Sequence, residues 1–250
     1  MNKTIPVLIV WSAAACAQDA REIMTEVQQR SRTESQHYEG TLKVIAENNR
    51  VSEKRWVYDR TGAHGDSKAL LKFTAPADVK GVALLILNHA DRASDQWMWT
   101  PAINRERRIA LQDRSTRFFG TDFTFEDLEE RDVDQYDYRL LGDETIAGAA
   151  CWKIQSTPKR AKGSQYTHSY VWVRKADYVV ARMEGCKRDK VVRSISYSDI
   201  AKVQNTWTAR RLEVHDPARN SRTVLTLDQL QYNVPLKDED FTLQALRRQS

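Results

Sequence analysis

The hydrophobic period of this chain changes once, from helical to alternating. Ile23, Met24 and Val27 form a modest apolar stripe at helical spacing between Ala20 and about Ser31, and Asp19 stands where an N-cap belongs. The pattern predicts one opening helix. From Tyr38 the apolar positions recur at every second residue, the period of a strand with one buried face. YEGTLKVIAEN and RVSEKRWVYDR are alternating runs separated by the turn signal Asn48-Asn49 and read as a long hairpin. SKALLKFTAP extends the sheet to Pro76, and VKGVALLILNHAD is almost continuously apolar, as a strand buried on both faces would be. DQWMWTP and RERRIALQD follow, with a turn near Pro101.

Thr124-Phe125-Glu126-Asp127 has the spacing of a capping box, in which the Thr124 hydroxyl serves the Asp127 N–H and the Asp127 carboxylate reaches back. A short helix from about Phe125 to Glu130 is predicted there. Further alternating runs follow in YDYRLLGDET, AACWKIQSTP, YTHSYVWVRK, YVVARMEG, VVRSISYSDI, TWTARRLEVHD and RTVLTLDQLQY, punctuated by Gly142-Asp143, Pro158, Gly163, Gly185 and Asp216-Pro217. The expected class is α+β, an antiparallel sheet of about a dozen strands with one or two short helices.

The first residues alter the picture of where this sheet works. A cationic Met1-Asn2-Lys3, an apolar run Ile5 to Trp11 and the small residues Ser12 to Ala17 read as an export signal over residues 1–17, leaving residues 18–250 as a single domain. The apolar run is far shorter than the ~20 residues of a membrane span. Ala15-Cys16-Ala17 suits release before Gln18, whereas Ala13-Ala14-Ala15-Cys16 resembles a lipobox with Ala where Leu is usual, so that Cys16 would carry a lipid anchor. With 39 basic and 34 acidic side chains interleaved, the charge of +5 reads as a solvated surface rather than a nucleic-acid footprint. Cys151 and Cys186 fall on strands flanking a third, about two spacings of ~4.8 Å apart, so buried thiols are expected rather than a disulfide.

Candidate chemistry is sparse. His37, His64, His89, His168 and His215 are scattered singly, and no HExxH, GxSxG, P-loop or GxGxxG occurs. The acidic run Glu126, Asp127, Glu129, Glu130, Asp132 and Asp134 lacks the spacing of an EF-hand, and no metal is expected. Aromatics are the better signal: Trp56 with Tyr58, Leu71 with Phe73, Trp97 with Trp99, Trp152 with Ile154, and Tyr170 with Trp172 each share one face of a strand. Spacing alone does not say whether such a face is filled by the protein itself or left open. Phe118, Phe119, Phe123 and Phe125 crowd eight residues around Gly120, too many for a solvated loop. Arg105, Arg107, Arg108, Arg114 and Arg117 make a basic band beside the acidic run, either a solvated strand face, a polar latch paired with Glu126 and Asp127, or a site for anionic head groups.

From about Pro76 to Leu128 the runs PADVKGVALLILNHAD, DQWMWTP, RERRIA and FFGTDFTFEDL resemble the outer-membrane lipoprotein-sorting-like proteins, relatives of the periplasmic lipoprotein carrier LolA. The likeness continues more weakly through YRLLGDETIAGAACWKI, SYVWVRKADYVVARME and VPLKDEDF. It implies a curved antiparallel sheet, an incomplete β-barrel around one or two short helices, whose concave face holds acyl chains, with no catalytic residue and no cofactor. Trp56, Tyr58, Phe73, Trp97, Trp99, Phe118, Phe119, Phe123, Phe125, Trp152 and Trp172 are then the expected lining, the phenylalanine loop a lid, and Arg105, Arg107 and Arg108 with Glu126 and Asp127 the latch. The expected function is a periplasmic carrier or chaperone that buries the acyl chains of a lipid or lipoprotein and passes them between membrane-bound partners, one being a resistance-nodulation-division type transporter. The alternative is a periplasmic sensor that signals to a membrane-bound regulator. Sensors of that kind carry a second small domain, whereas only VPLKDEDFTLQALRRQS follows the last strand here.

Overall fold

A computed structural model describes residues 12–248. The export signal falls mostly outside those residues, and nothing is described of the Cys16 side chain. Helix α1 (Ser12–Arg30) opens the chain. Thirteen strands follow: β1 (Ser35–Ile45), β2 (Val51–Ala63), β3 (Asp66–Ala75), β4 (Ala83–Leu87), β5 (Asp95–Thr100), β6 (Arg105–Ile109), β7 (Tyr136–Ile146), β8 (Ala149–Pro158), β9 (His168–Arg174), β10 (Val180–Lys187), β11 (Lys190–Val203), β12 (Thr206–Asp216) and β13 (Ser221–Tyr232). All of them join one antiparallel sheet in the order β6-β5-β4-β3-β2-β1-β13-β12-β11-β10-β9-β8-β7. Two meanders are thus stitched together where β1 pairs with β13, and the sheet is an incomplete barrel whose free edges are β6 and β7.

This order has one topological consequence that positions everything else. Strands β6 and β7 are consecutive in sequence but lie at opposite edges, so residues 110–135 must travel from one edge to the other. They do so across the concave face, as a run of turns rather than the helix that the capping box predicted. That box forms, with the Thr124 N–H and hydroxyl each donating to Asp127 Oδ2 at 2.8 Å, yet it starts only the 3₁₀ turn Glu126–Leu128. A second 3₁₀ turn, Val133–Gln135, leads into β7. At the other side of the hollow α1 lies against β7, with Ile23, Met24 and Val27 joining the inner core as their spacing predicted.

The sheet buries both faces near β4. Leu84 and Ile86 enter the inner core, while Ala83 and Leu85 pack outside with Trp99, Phe241 and Leu246. The outer cover is the C-terminal segment, which ends in the short helix α2 (Leu243–Leu246), capped by the Thr242 hydroxyl accepting from the Ala245 N–H. Its sequence is too short to announce a helix by period, and its docking explains why the ALLIL run is apolar throughout.

Cys151 on β8 and Cys186 on β10 are free, buried and separated by β9, and burial raises both thiols. Neither is therefore expected to react with a maleimide while the protein is folded. Mass spectrometry after native and urea-treated labelling checks this, and labelling of either thiol at equal rates in both conditions would contradict the packing.

Candidate functional site

The inner face of β1–β3 carries an aromatic cluster. Trp56 and Phe73 point inward from opposed positions, with ring centroids 5.8 Å apart. Phe118 and Phe123 from the crossing segment reach them, at 6.4 and 6.3 Å from Trp56, and Phe118 also meets Phe119 at 5.3 Å and Phe125 at 5.4 Å. Tyr58 stacks on Tyr38 at 4.8 Å beside them. Trp56 is 1% exposed and Phe118 not at all. Here the phenylalanine loop is a plug rather than a lid: it fills this part of the hollow instead of roofing an empty one.

Strand alternation sorts the remaining tryptophans. Trp152 faces inward with Ile154 and packs on Tyr178, ring centroids 5.2 Å apart. Trp97 and Trp99 share a face, as period two requires, but it is the outer one, where Trp99 lies beneath α2 and Arg108 sits over Trp97. Trp172 is also outside, opposite Lys153 across β8–β9, and donates its indole N–H to Glu144 at 2.7 Å. Alternation identifies which residues share a face and not which face is inner, and that is why these three were expected inside.

The basic band divides in the same way. Arg108 pairs with Asp95, Arg107 with Asp113, and Arg105 is an exposed residue at the start of the edge strand, so none of these three reaches Glu126 or Asp127. The acids of the crossing segment are met instead by Arg114 and Arg117 of that segment, by Arg193 on β11 and by Lys162 on the β8–β9 loop. Arg117 pairs with Asp122, whose carboxylate also accepts from the Ser221 hydroxyl at 2.6 Å and the Thr223 hydroxyl at 2.8 Å on β13. Arg193 on β11 reaches the Asp122 carbonyl and lies 3.4 Å from Asp127, which accepts from the Tyr166 hydroxyl at 2.8 Å. Glu129 meets Arg114 at 3.0 Å, Lys162, and the Gln96 amide at 2.7 Å. Glu126 accepts from the Ser164 hydroxyl and the Gln165 N–H, and burial pushes its carboxyl above the usual range. These pairs are buried, so the crossing segment is pinned by a polar spine to β5, β11, β13 and the β8–β9 loop. Lys162, Tyr166, Arg193, Ser221 and Thr223 carry no local signal that could have marked them, because their partners are far away in sequence.

Beyond the plug, between α1 and β9–β11, a cavity of about 160 Å³ remains. Met24, Val27, Val171, Val180 and Met183 make its apolar wall, with Gln28, Ser31, His64, Glu130, Arg131, Tyr138 and Tyr197 at its polar positions. Burial pushes the Tyr197 phenol up to about 12, so it stays protonated and serves only as a neutral hydrogen-bonding group. On the other flank of α1 lies a wider groove of about 940 Å³, lined by Arg21, Glu22, Glu26 and Arg30 as well as Leu140, Trp152 and Tyr178. Its charged wall makes it a poorer home for a hydrocarbon chain than the smaller cavity. Of the aromatic candidates, Trp152 lines the groove and none lines the cavity. Among the described residues no cluster of metal-ligating side chains occurs, and no helix is long and apolar enough to cross a membrane.

Known structures place this arrangement. A putative outer-membrane lipoprotein-sorting protein domain from Vibrio parahaemolyticus superposes with a TM-score of 0.87 at 25% identity, over 93% of this chain and 100% of the other. A family model described only as that of an uncharacterized protein matches residues 65–248. The chain belongs to the family of that model, and the structures it resembles are lipoprotein-sorting and LolA-like proteins. A protein from Desulfovibrio piger, of a family named as a domain of unknown function, is similar at 27% identity with a TM-score of 0.88, over 92% of this chain and 99% of its own. A LolA-superfamily protein from Nitrosomonas europaea shares the fold at 17% identity, with a TM-score of 0.72 over 90% and 98% of the two chains. No curated protein sequence matches.

Proposed function

We propose that this protein is a periplasmic carrier or chaperone that binds the acyl chains of a lipid or lipoprotein and hands them between membrane-bound partners. The observation that carries this reading is the cavity beneath α1, walled by Met24, Val27, Val171, Val180 and Met183, on a fold shared with a lipoprotein-sorting domain. Burial drives the binding of the chain itself: each methylene taken from water contributes about 0.8 kcal/mol, so a chain of ten offers roughly 8 kcal/mol before association costs.

At about 160 Å³ the cavity is smaller than the ~300 Å³ at which ligand pockets usually begin. Loading therefore requires α1 to move, since it separates the cavity from the groove on its other flank. Its polar hold is light. Arg21 pairs with Asp134 at the surface, Gln28 accepts from the Val133 N–H at 2.7 Å, and Arg30 stacks over Tyr178 at 4.1 Å. An exposed ion pair and a surface cation–π contact contribute about 1 kcal/mol or less each. Displacing α1 joins the two spaces into one trough floored by Tyr138, Leu140, Trp152 and Val171, while the buried spine keeps the phenylalanine plug in place. A transporter of the resistance-nodulation-division type is a fitting membrane-bound partner for such a hand-over.

Native mass spectrometry of protein purified from a cell envelope should show one acyl-bearing ligand per chain, released on denaturation. Protein that is empty as isolated and also fails to take up a fluorescent fatty acid would overturn the carrier reading.

A further inference from the structure

The polar end of the cavity contains two groups whose hydrogen-bonding capacity the fold leaves largely unused. His64 sits at the tip of the β2–β3 hairpin, in the two-residue turn His64-Gly65, where both residues have positive φ, 36° and 81°. Such turns favour Asn-Gly or Gly-Gly, and a histidine held there carries local strain. Gly65 is required on a second count, because a Cβ there would overlap the Asp132 carboxylate. The His64 side chain is only 10% exposed; neither ring nitrogen makes a hydrogen bond among the described residues, and Nδ1 lies 3.6 Å from Glu130 Oε1, which leaves Nε2 to face the cavity. Its backbone N–H is engaged instead, donating to Glu130 Oε2 at 2.8 Å.

The second group is Arg131. It donates one N–H to the Ser156 hydroxyl at 3.0 Å and stacks on Tyr136 with 4.1 Å to the ring centroid. Among the described residues no carboxylate lies within 4.0 Å of its guanidinium, unlike the buried cations Arg60, Arg114, Lys162 and Arg193, each of which has one. Glu130, the acid on the cavity wall, is already answered by Arg60 at 3.8 Å, the Ser67 hydroxyl at 2.5 Å, and the His64 backbone N–H and ring. Asp132 caps the following 3₁₀ turn through the Asp134 N–H and does not line the cavity. One cation without a carboxylate partner and one imidazole with a ring nitrogen to spare are therefore presented to a space whose far wall is hydrocarbon, while Glu130, Gln28, Ser31, Tyr138 and Tyr197 complete its polar side.

We infer that Arg131 and His64 receive the anionic head group of an acyl amphiphile, a carboxylate or a phosphate, while its chain lies against Met24, Val27, Val171, Val180 and Met183. A guanidinium fork and a ring N–H are the donors that bind such oxygens with charge-assisted hydrogen bonds. This inference rests on the carrier reading and names the ligand class for the same site.

Three single-chain probes of equal chain length test it on the whole mature protein: palmitate, palmitoyl lysophosphatidic acid and hexadecanol, each displacing a fluorescent acyl probe. The expected result is that at least one anionic amphiphile binds about tenfold tighter than the alcohol, and the palmitate-to-phosphate ratio tells which head group is read. Arg131→Gln should lower the affinity for the preferred anion to that of the alcohol, and Arg131→Lys should restore part of it. Hexadecanol binding as tightly as both anions in the unaltered protein overturns the head-group inference and leaves the carrier reading standing, as does a folded R131Q that keeps the preference. Binding of none of the three overturns both. If R131Q does not fold, His64→Gln is read in the same way, because its ring makes only the 3.6 Å contact to Glu130, which Arg60, Ser67 and the residue 64 N–H still hold.

Discussion

Replacing Asp122 with alanine should destabilise the protein by about 3–5 kcal/mol, a large part of the ~5–15 kcal/mol that holds a domain together. Asp122 is wholly buried, and its carboxylate answers Arg117, Ser221 and Thr223 at once. Removing it leaves a mostly buried guanidinium and two buried hydroxyls without an acceptor. The penalty comes mainly from that stranded charge rather than from the lost attraction. Asp122→Asn keeps one acceptor and should fall between the two. Urea denaturation with an unchanged m-value measures both. A loss below about 1 kcal/mol for Asp122→Ala would mean that the spine does not pin the crossing segment.

The second large effect concerns Trp56 and the glycine beneath it. Gly40 on β1 is paired with Trp56 on β2, and a Cβ there would overlap the indole nitrogen and come within 3.0 Å of Leu225. The indole is fully buried among Phe73, Phe118 and Phe123 and has nowhere to retreat. Gly40→Ala alone should therefore cost about 1–3 kcal/mol by overpacking, and Trp56→Ala about 3–5 kcal/mol by leaving a cavity. The double variant should be no less stable than Trp56→Ala, since the methyl then enters space the ring has vacated. Such a cycle is strongly non-additive, and simple addition of the two single costs would show that Gly40 and Trp56 do not press on one another.

Both predictions concern the polar and aromatic filling of the hollow, which is where sequence reading was weakest. The strands themselves were legible because alternation is a local property: β1, β2 and the Asn48-Asn49 turn follow from their own residues. The apolar run of β4 correctly announced burial on two sides. What covers the outer side was not legible, because Phe241 and Leu246 arrive from the far end of the chain. The same limit put Trp97, Trp99 and Trp172 inside when they stand outside, since a strand's period distinguishes two faces without naming them. Arg114 and Arg117 were visible as part of a basic band, but Arg193 and Lys162 needed the sheet to bring them near.

The candidate cavity shows this division most clearly. His64 was legible only as one of five scattered histidines and Arg131 not at all, because nothing within a few residues of either explains them. Their meaning comes from a β2–β3 turn, a crossing segment and α1 converging on one space.

The amino-acid sequence by itself determined the strand period, the turns, the capping box and the family likeness, all of which depend on residues within one or two turns of each other. The tertiary structure alone decided which sheet face became the interior, that the phenylalanine loop plugs rather than roofs the hollow, and where Arg131, with no carboxylate partner among the described residues, meets a cavity with one apolar wall. Those outcomes depend on the β1–β13 pairing and on a crossing from β6 to β7, contacts between residues too far apart in the chain for any local pattern to encode.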